Sequence, residues 1–326
     1  MNTATMPVEW LLEGPAWVQY RTHLDLLGQS NRDEQVAGLQ KTIAEEPQIQ
    51  ALLGEVSGWP GGPIKRHNDA SHLLHKLTFL ADIGIPEDHP VIRHVLDNIL
   101  EHQSAVGPFQ VLVNIPVHFG GSGQDEWRWM LCDAPTLLYI LFKLGWEQDG
   151  RVQAATKYLT TLIRENGWPC AAASAPGSFR GPGRKEDPCP YANLVMLKAL
   201  AQSPAWREQE VCRVGAESLL SLWEQRTARR PYLFAMGSDF AKLKAPLIWF
   251  DLLHLLDILS QFPWLRQDAR LQEMAGLLAG KADAQGRFTP ESVWTAWKGW
   301  DFGQKKEPSR WLTLVAQRAL KRMETA

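Results

Sequence analysis

Apolar residues along the chain fall into short runs with a helical period, and these runs are of two kinds. In the first kind nearly every position is apolar, as in LIWFDLLHLLDIL after Pro246. A helix that is apolar all round is expected to be buried on both sides. A proline precedes five of the six runs, where its fixed φ and missing N–H suit the first turn of a helix. The six runs follow Pro15, Ser71, Pro135, Pro190, Pro246 and Pro308, at intervals of ~55–64 residues.

The second kind of run is amphipathic and lies between the first. Charged residues take one face and Leu, Ile or Val the other, which is typical of a helix with one face in solvent. We predict these helices over Glu34–Leu53, Val91–Gln103, Arg151–Glu165, Arg207–Glu224 and Leu271–Lys281. Their alternation with the buried runs predicts helical repeats in two concentric layers. The sequence has no convincing strand pattern, so we expect one all-α domain over residues 1–326, a single (α/α)6 toroid with about six inner and five to six outer helices.

Turns made of glycine and an aromatic residue close three of the outer helices. They lie at 103–109 (QSAVGPF), 164–168 (RENGW) and 281–288 (KADAQGRF). Glycine supplies the left-handed residue that ends a helix, and the aromatic side chain then folds back onto the helix pair. In these turns the chain resembles the terpenoid-cyclase and protein-prenyltransferase superfamily, whose repeats carry Q-x-x-x-G-x-W/F turns. The resemblance implies a squalene-cyclase-like α/α toroid, in a short, single-toroid, bacterial-type member.

Composition narrows the class of protein without specifying a reaction. The 326 residues are 45% apolar and 21% charged, which allows a sizeable core. A net charge of −2 provides no overall attraction for nucleic acid. No apolar run approaches the ~20 residues of a membrane span, and no secretory signal is visible. Four cysteines in a chain this long favour reduced thiols. We therefore expect a soluble cytoplasmic protein with no nucleic-acid partner and no integral membrane segment.

Residues able to do chemistry cluster just before the buried helices. In the predicted toroid, the first turns of the inner helices meet on one rim of a central cavity. The candidate catalytic residues of this rim are His72, His75, Asp133, Asp187 and Cys189. His72 and His75 are spaced i, i+3 and suit an acid/base couple or a metal pair. Asp133 suits a general acid kept protonated by apolar and aromatic neighbours, or a helix cap.

Asp187 and Cys189 stand two residues apart where an inner helix begins. A carboxylate and a thiolate at this spacing can chelate Zn²⁺, and a helix N-terminus lowers the pKa of a thiol. Protein prenyltransferases carry a similar Asp-x-Cys pair, so the resemblance implies zinc-dependent alkyl transfer. The histidine that those enzymes place at the next inner helix is replaced here by residues 245–246, so Cys132 or Cys170 would complete the metal site. The alternative is a capping aspartate and a small buried cysteine.

Basic and aromatic residues near the same rim are candidates for binding the substrate. Arg180, Arg184 and Lys185 are predicted anion contacts. Aromatic rings either line a cavity for an apolar or cationic substrate or fill the core between the helix layers. The candidates of this type are Trp127, Trp129, Tyr191 and Trp249, together with His254. The segments 108–123 and 294–306 are predicted lids over the rim.

These features predict an enzyme with a central cavity that acts on a small or isoprenoid-like substrate by acid/base chemistry of lyase, hydratase or isomerase type. The chain has no P-loop or G-x-G-x-x-G, so no nucleotide cofactor is expected and zinc is the candidate cofactor. It also lacks the D-x-D-D motif of protonating terpenoid cyclases. Three alternatives stay open: a zinc-dependent prenyl or alkyl transferase, a non-catalytic binding or interaction module, and an (α/α)6 carbohydrate-cleaving enzyme with two opposed carboxylates.

Overall fold

A computed structural model describes residues 6–119, 121–171, 184–228 and 234–324. The described residues form fourteen α-helices and a two-stranded antiparallel sheet of β1 (Val111–Asn114) and β2 (Asp125–Arg128). The helices are α1 (Val8–Leu12), α2 (Ala16–Asp25), α3 (Glu34–Ile43), α4 (Pro47–Val56), α5 (Leu73–Ile83), α6 (Pro90–Glu101), α7 (Ala134–Lys143), α8 (Gly150–Thr161), α9 (Pro190–Leu200), α10 (Pro204–Arg207), α11 (Glu210–Glu224), α12 (Leu252–Leu259), α13 (Ala269–Ala279) and α14 (Arg310–Glu324). Within these ranges no helix has the length and apolarity of a membrane span.

The chain divides into two compact units whose segments interleave along the sequence. The first unit comprises Met1–Leu52, Phe79–Pro86 and Met236–Ala326, and the second comprises Leu53–Thr78 and Glu87–Ala235. The single domain over residues 1–326 that the sequence predicts stays a prediction. Helices such as α4 and α5 have residues in both units, which a linear search for domain boundaries cannot anticipate.

The runs that are apolar all round form buried helices, as predicted. Every residue of α9 and of α12 is buried, and α7 exposes only its last residue, Lys143, to an intermediate degree. Pro135 and Pro190 lie in the first turns of α7 and α9, where no helical hydrogen bond needs their nitrogen. The amphipathic helices are confirmed as well. Helix α6 buries positions 92, 95, 96, 99 and 100, which is the one-sided stripe of a half-exposed helix.

Several predicted helix boundaries were wrong, each for a local reason. The helix predicted over 34–53 is broken into α3 and α4, because Pro47 begins a new helix rather than continuing one. The helix predicted from 207 begins properly at Glu210, after the single turn of α10. The fifth buried helix begins at Leu252 rather than after Pro246, since the Asp251 carboxylate caps it by accepting the N–H of His254 at 2.9 Å.

The expectation of a chain without strands was wrong between positions 111 and 128. Strands β1 and β2 pair in antiparallel register, with Val111 opposite Arg128 and Asn114 opposite Asp125. The strands are four residues long, which is too short for an alternating pattern to stand out. The segment 108–123, predicted as a lid, therefore supplies β1, whose Leu112 carbonyl also accepts the N–H of Ile64 at 2.8 Å.

The other predicted lid, segment 294–306, contributes to the core of the first unit. The ring of Phe79 lies at the centre of an aromatic cluster in which each neighbouring ring centroid is within 5.6 Å of its own. These neighbours are Trp17, Trp297, Trp300, Phe302 and Trp311. The packing is mostly edge-to-face, which the charge distribution of aromatic rings favours. Trp297 and Trp300 of this segment therefore fill core volume.

The predicted glycine-aromatic turns end in buried rings at Phe109, Trp168 and Phe288. In the second unit the Trp168 N–H donates to the Asn193 side-chain oxygen at 3.0 Å, and its carbonyl accepts the N–H of Cys189 at 2.8 Å. Gly167, at φ +111°, leaves room for this pairing, because a Cβ there would lie 2.6 Å from that oxygen. The turn thus fixes the residue that begins the next buried helix, α9.

The first unit contains the same arrangement of hydrogen bonds between an aromatic turn and the next buried helix. The Phe288 N–H donates to the Thr313 hydroxyl at 2.8 Å, and the Phe288 carbonyl accepts the N–H of Ser309 at 3.0 Å, just before α14. In both units an aromatic turn residue is held by a side chain of the following buried helix and by the residue that precedes that helix. This recurrence supports the helical repeats that the sequence predicts.

Candidate active site

Helices α7 and α9 of the second unit pack against each other and bring two predicted site residues together. Asp133 immediately precedes α7 and Cys189 immediately precedes α9. Cys132 and Cys189 lie close enough for each thiol to shift the pKa of the other, so the beginnings of the two helices are neighbours. The prediction that chemistry-bearing residues gather where buried helices begin therefore describes this part of the second unit.

Asp133 is held by a histidine that lies 66 residues earlier in the sequence. The His67 Nδ1–H donates to Asp133 Oδ1 at 2.9 Å. The Asp133 side chain is 2% exposed and that of His67 is 28% exposed, so the pair connects a buried carboxyl with the solvent. Asp133 Oδ2 is buried and has no hydrogen-bond partner among the described residues. A buried carboxylate oxygen left in this way can accept one further hydrogen bond.

The charge state of His67 is set by two opposing effects. Burial lowers the pKa of the imidazole, but the Asp133 carboxylate raises it by charge and by hydrogen bonding, and a charged Cys189 sulfur adds to this. The net result is a His67 pKa above its usual value. An imidazolium beside a carboxylate is therefore favoured to higher pH than an isolated histidine would allow.

His75 and His72, the predicted acid/base couple, are both engaged with the backbone. The His75 Nε2–H donates to the His67 carbonyl at 2.8 Å, and burial lowers the His75 pKa to about 4, so this ring is neutral near pH 7. The His72 Nε2–H donates to the Gly62 carbonyl at 2.9 Å, while its Nδ1 accepts the N–H of Leu74 at 3.1 Å. His75 thus positions the backbone of His67, and His72 anchors the start of α5.

Cys132 and Cys189 have unequal thiols. The hydrogen bond between them raises the pKa of the Cys132 thiol, and burial raises it further. The same bond lowers the pKa of the Cys189 thiol, and the backbone N–H groups of Ala192 and Tyr191 lower it as well, against the raising effect of burial. The low Cys189 pKa expected at a helix N-terminus is consistent with this geometry. Cys132 is the donor that sequence spacing could not assign.

The predicted zinc site does not fit the described residues. Asp187 is half-buried in a turn in which its N–H donates to the Arg184 carbonyl at 3.1 Å. Among the described residues, no group of three His, Cys, Asp or Glu side chains is arranged to hold a metal ion. Structural and catalytic zinc sites both need at least three protein ligands. We therefore assign no step to a metal at Asp187, Cys189, Cys132 or Cys170.

The predicted anion contacts have different outcomes. Arg180 lies outside the described residues. Arg184 and Lys185 are exposed, and the Lys185 carbonyl accepts a hydrogen bond from the Arg164 guanidinium at 2.8 Å. Their role in binding an anion stays a prediction.

Tyr191 and Trp129, two of the predicted aromatic contacts, are buried and lie within four residues of Cys189 and Asp133 in the sequence. Tyr191 is buried in the first turn of α9, and burial, together with the charges of Asp133 and Cys132, raises its phenol pKa. Trp129 is buried and packs edge-to-face on Tyr158, with ring centroids 5.7 Å apart. Tyr191 is therefore a buried aromatic neighbour of the carboxyl, whereas Trp129 is placed by its contact with Tyr158.

Trp127 differs from its neighbour Trp129. It lies half-buried on β2 and stacks on the His102 ring at 3.5 Å between centroids. Its carbonyl accepts a hydrogen bond from the Gln110 side chain at 3.2 Å. These contacts give Trp127 a packing role on the hairpin.

Trp249 and His254 belong to the first unit, where they surround a second buried aspartate. The His254 Nδ1–H donates to the Trp249 carbonyl at 2.8 Å, and the His254 backbone N–H donates to Asp251. Burial raises the pKa of Asp251 to about 7, although the nearby Lys244 ammonium opposes the rise. Lys244 itself is buried, with Nζ 4.6 Å from the ring centre of Trp294.

His67 is not among the candidate site residues chosen from the sequence, although it lies in one of the polar segments that precede the buried helices. It lies in the polar stretch KRHND before α5, with no periodic pattern to mark it. Its partner, Asp133, was selected because it precedes a buried helix. The same criterion could have identified His67, because it also lies shortly before a buried helix, α5.

Known proteins offer little to compare with this site. No protein-family model matches the chain, and no curated protein matches it. Among solved structures, a protein from Actinoplanes is similar with a TM-score of 0.42 at 13% identity, covering 95% of this chain and 90% of that one. A type II terpene cyclase from Scytonema, in complex with its substrate geranylgeranyl dihydroxybenzoate, is similar with a TM-score of 0.43 at 11% identity, covering 100% and 97%. TM-scores this low do not decide family or function.

Proposed function

We propose that the chain is an enzyme in which Asp133 is the general acid and His67 its partner, acting on a small or isoprenoid-like substrate. The observation that carries this proposal is the buried Asp133 Oδ2, which has no partner among the described residues while Oδ1 is held by His67. In the proposed acid form the pair carries two protons, one on the His67 imidazole and one on Asp133 Oδ2, and the Oδ2 proton is the one transferred to a carbon–carbon double bond or a leaving group. The reaction class is therefore elimination, hydration or isomerisation.

The role of His67 follows from its charge and its exposure. When Asp133 gives its proton to the substrate, a carboxylate remains in an apolar surrounding, which is costly without a charged partner. The His67 imidazolium, whose pKa the carboxylate raises, stabilises that carboxylate through the 2.9 Å hydrogen bond. Because part of its ring reaches solvent, His67 also offers a path by which the pair regains a proton. General acid catalysis of this kind contributes about 10²–10⁴-fold to a rate.

The apolar nature of the substrate is supported by the side chains around the pair. Tyr191 is buried and is close enough to the Asp133 charge for it to raise the phenol pKa, and the Cys132 thiol is held protonated. Such walls suit a hydrocarbon that develops positive charge during the reaction, because aromatic faces attract cations. The single (α/α)6 toroid and the terpenoid-cyclase-like membership are parts of the same proposal, supported by the alternating helices and the repeated aromatic turns. A cytoplasmic location is proposed with them.

The experiment that tests the proposal follows a proton. The protein is incubated in D2O with geraniol, farnesol, geranylgeraniol and their diphosphates, and products are analysed by mass spectrometry for deuterium bound to carbon. The wild type is expected to give a deuterated isomer, hydrate or elimination product, and Asp133→Asn is expected to give none. Asp251→Asn is the matched control, since it removes the carboxyl of another buried aspartate. Equal deuterium incorporation by the wild type and Asp133→Asn would contradict the proposal.

The alternatives predict other results. A zinc-dependent transferase requires stoichiometric zinc in elemental analysis of the untagged protein and loss of activity with a chelator. A binding module would bind an isoprenoid, as measured by tryptophan fluorescence, without forming product. A carbohydrate-cleaving enzyme would release reducing sugar from oligosaccharides and would need a second carboxylate opposite Asp133.

A further inference from the structure

Asn166 and Gly167, in the turn that follows α8, form a pair that the acid/base proposal does not use. Asn166 is the only asparagine of the chain that precedes a glycine, and its side chain is exposed. The backbone nitrogen of a glycine can reach the side-chain amide carbon of a preceding asparagine, because glycine has no side chain to hinder the approach. In the unfolded chain Asn166 is therefore the asparagine most prone to lose its amide.

The fold engages both reacting groups of this pair. The Gly167 N–H donates to the Arg164 carbonyl at 3.1 Å, and the Arg164 N–H donates to the Gly167 carbonyl at the same distance. The Asn166 Nδ2–H donates to the Glu186 carbonyl at 2.8 Å. For the glycine nitrogen to attack the amide carbon, it has to leave its hydrogen bond and the amide has to rotate toward it. The reaction thus requires the 164–167 turn to open.

A buried asparagine of α9 keeps the 164–167 turn closed. The Asn193 side-chain oxygen accepts the Trp168 N–H at 3.0 Å, and its Nδ2–H group donates to the Trp168 carbonyl at 2.9 Å. The same amide donates to the Cys189 carbonyl at 2.8 Å, so it joins the turn to the residue that precedes α9. Opening of the turn therefore costs these buried hydrogen bonds, and the open form is a minor fraction of the native protein.

We propose that Asn166 is a deamidation site at which the chain is modified only when the 164–167 turn opens. The Gly167 nitrogen attacks the Asn166 amide carbon, the new C–N bond closes a succinimide ring, and ammonia leaves with the Gly167 proton. Water then opens the ring at either carbonyl, which gives aspartate or isoaspartate. One asparagine and one water give one acid and one ammonia, and no other reactant is needed.

The modification is expected to loosen the segment that leads into α9. The Arg164 guanidinium and the Asn166 amide hold this segment by donating to the carbonyls of Lys185 and Glu186, each at 2.8 Å. A carboxylate at position 166 has no N–H for the Glu186 carbonyl, and isoaspartate lengthens the paired turn by one methylene. The inference does not rest on the role proposed for Asp133, so each can fail without the other.

The experiment follows one peptide of the full-length protein, incubated either native or unfolded in guanidinium chloride at neutral pH. Trypsin releases Asn166 on residues 165–180, and the mass gain of an amide-to-acid change marks its conversion. We expect this peptide to convert at least about tenfold faster in the unfolded protein, since the native rate is scaled by the open fraction of the turn. Residues 94–128, whose two asparagines precede isoleucine, are the internal control and are expected to convert more slowly when unfolded.

Two matched variants distinguish local opening of the turn from a general loss of stability. Asn193→Ala removes the side chain that holds Trp168 in the second unit, and Thr313→Val removes the side chain that holds Phe288 in the first. We expect Asn193→Ala to raise the rate at which the native 165–180 peptide converts by at least several-fold. Thr313→Val is expected to leave this rate unchanged.

Three results would overturn the proposal. They are equal conversion in the native and the unfolded protein, an equal rise in the two variants, and a 165–180 peptide that keeps its amide in the unfolded protein. Where Asn193→Ala fails to fold, the comparison of native and unfolded wild type still decides. Asn166→Asp, which reproduces one product, is expected to lower the guanidinium midpoint, and an unchanged midpoint would contradict the loosening of the segment before α9.

Discussion

Asp133 in the second unit and Asp251 in the first are both buried aspartates that stand immediately before a buried helix, yet their partners differ. Asp133 accepts a hydrogen bond from the imidazole of His67 at 2.9 Å. Asp251 accepts the backbone N–H of His254 at the same distance and lies near the Lys244 ammonium without an ion pair among the described contacts. Each leaves its Oδ2 without a hydrogen-bond partner among the described residues.

The difference shows how a single distant side chain changes the use of one position in a repeat. With backbone donors alone, an aspartate is a helix cap, and burial raises the pKa of Asp251 to about 7. With His67 beside it, Asp133 becomes half of an acid/base pair that reaches solvent. Substitutions at either aspartate or at the histidines test this difference.

The largest effect is expected from Asp133→Asn. The amide still accepts the His67 N–H, so the fold is retained, but it has no proton to donate. Turnover in the deuterium assay should fall by about 10²–10⁴-fold, while Asp251→Asn stays within a few-fold of the wild type. Initial rates with both variants check this, and equal losses in the two variants would show that the aspartates are equivalent.

We expect Asp251 to affect the free energy of unfolding rather than the rate of catalysis. Its carboxyl has a pKa of about 7 in the folded protein against 3.8 when unperturbed, so it binds its proton more tightly when folded. Its contribution to the free energy of unfolding is therefore full below about pH 4 and is lost as the pH rises through about 7, by up to about 4 kcal/mol. Urea unfolding of the wild type and Asp251→Asn at about pH 4.5 and pH 8 tests this. An equal change in the free energy of unfolding between the two pH values in both proteins would contradict this prediction.

His75 is expected to act in the opposite direction on the pH axis. Burial lowers its pKa to about 4 from 6.5, so the folded protein disfavours its charged form. The corresponding stability is present above pH 6.5 and is lost as the pH falls through about 4, by up to about 3 kcal/mol. His75→Gln keeps a donor for the His67 carbonyl and should remove this loss. Thermal unfolding of the two proteins across that range provides the measurement.

The smallest effect is expected from His67→Gln. The amide can donate to Asp133 but carries no charge, so the carboxylate formed in the reaction loses its cation. We expect about a tenfold lower rate. Because the His67 pKa is raised, the wild-type rate should decline as the imidazolium loses its proton above pH 6.5, and the alkaline decline of the variant should no longer follow this group. A variant with the wild-type pH profile would exclude His67 from the reaction.

Much of the helical pattern could be predicted because the local spacing of apolar residues shows which faces of a helix will be buried. Helices α7, α9 and α12 consist of residues that are apolar on every face, and α6 shows its stripe directly. The aromatic turns could also be predicted, since a glycine and a ring a few residues apart are a local signal. The boundary of α12 could not, because the Asp251 cap competes with the proline signal at 246.

The candidate site could be predicted only in part, because its pairings are long-range. Placement before a buried helix identified Asp133 and Cys189, but not which side chains would reach them. The His67–Asp133 hydrogen bond and the Cys132–Cys189 contact depend on how helices pack, and nothing in local spacing encodes them. His75, by contrast, was selected for its spacing and proved to support the backbone of His67.

The interleaving of the two units has a consequence for folding during synthesis on the ribosome. The second unit is complete once residue 235 has emerged, whereas the first needs the segment Met236–Ala326 to join Met1–Leu52. Its early helices are therefore made first and become buried last. Helix α2, which packs on α14, must wait for nearly the whole chain. In a nascent chain, the apolar residues of α2 that pack on α14 would stay exposed, and open to chaperone binding, until α14 has been made.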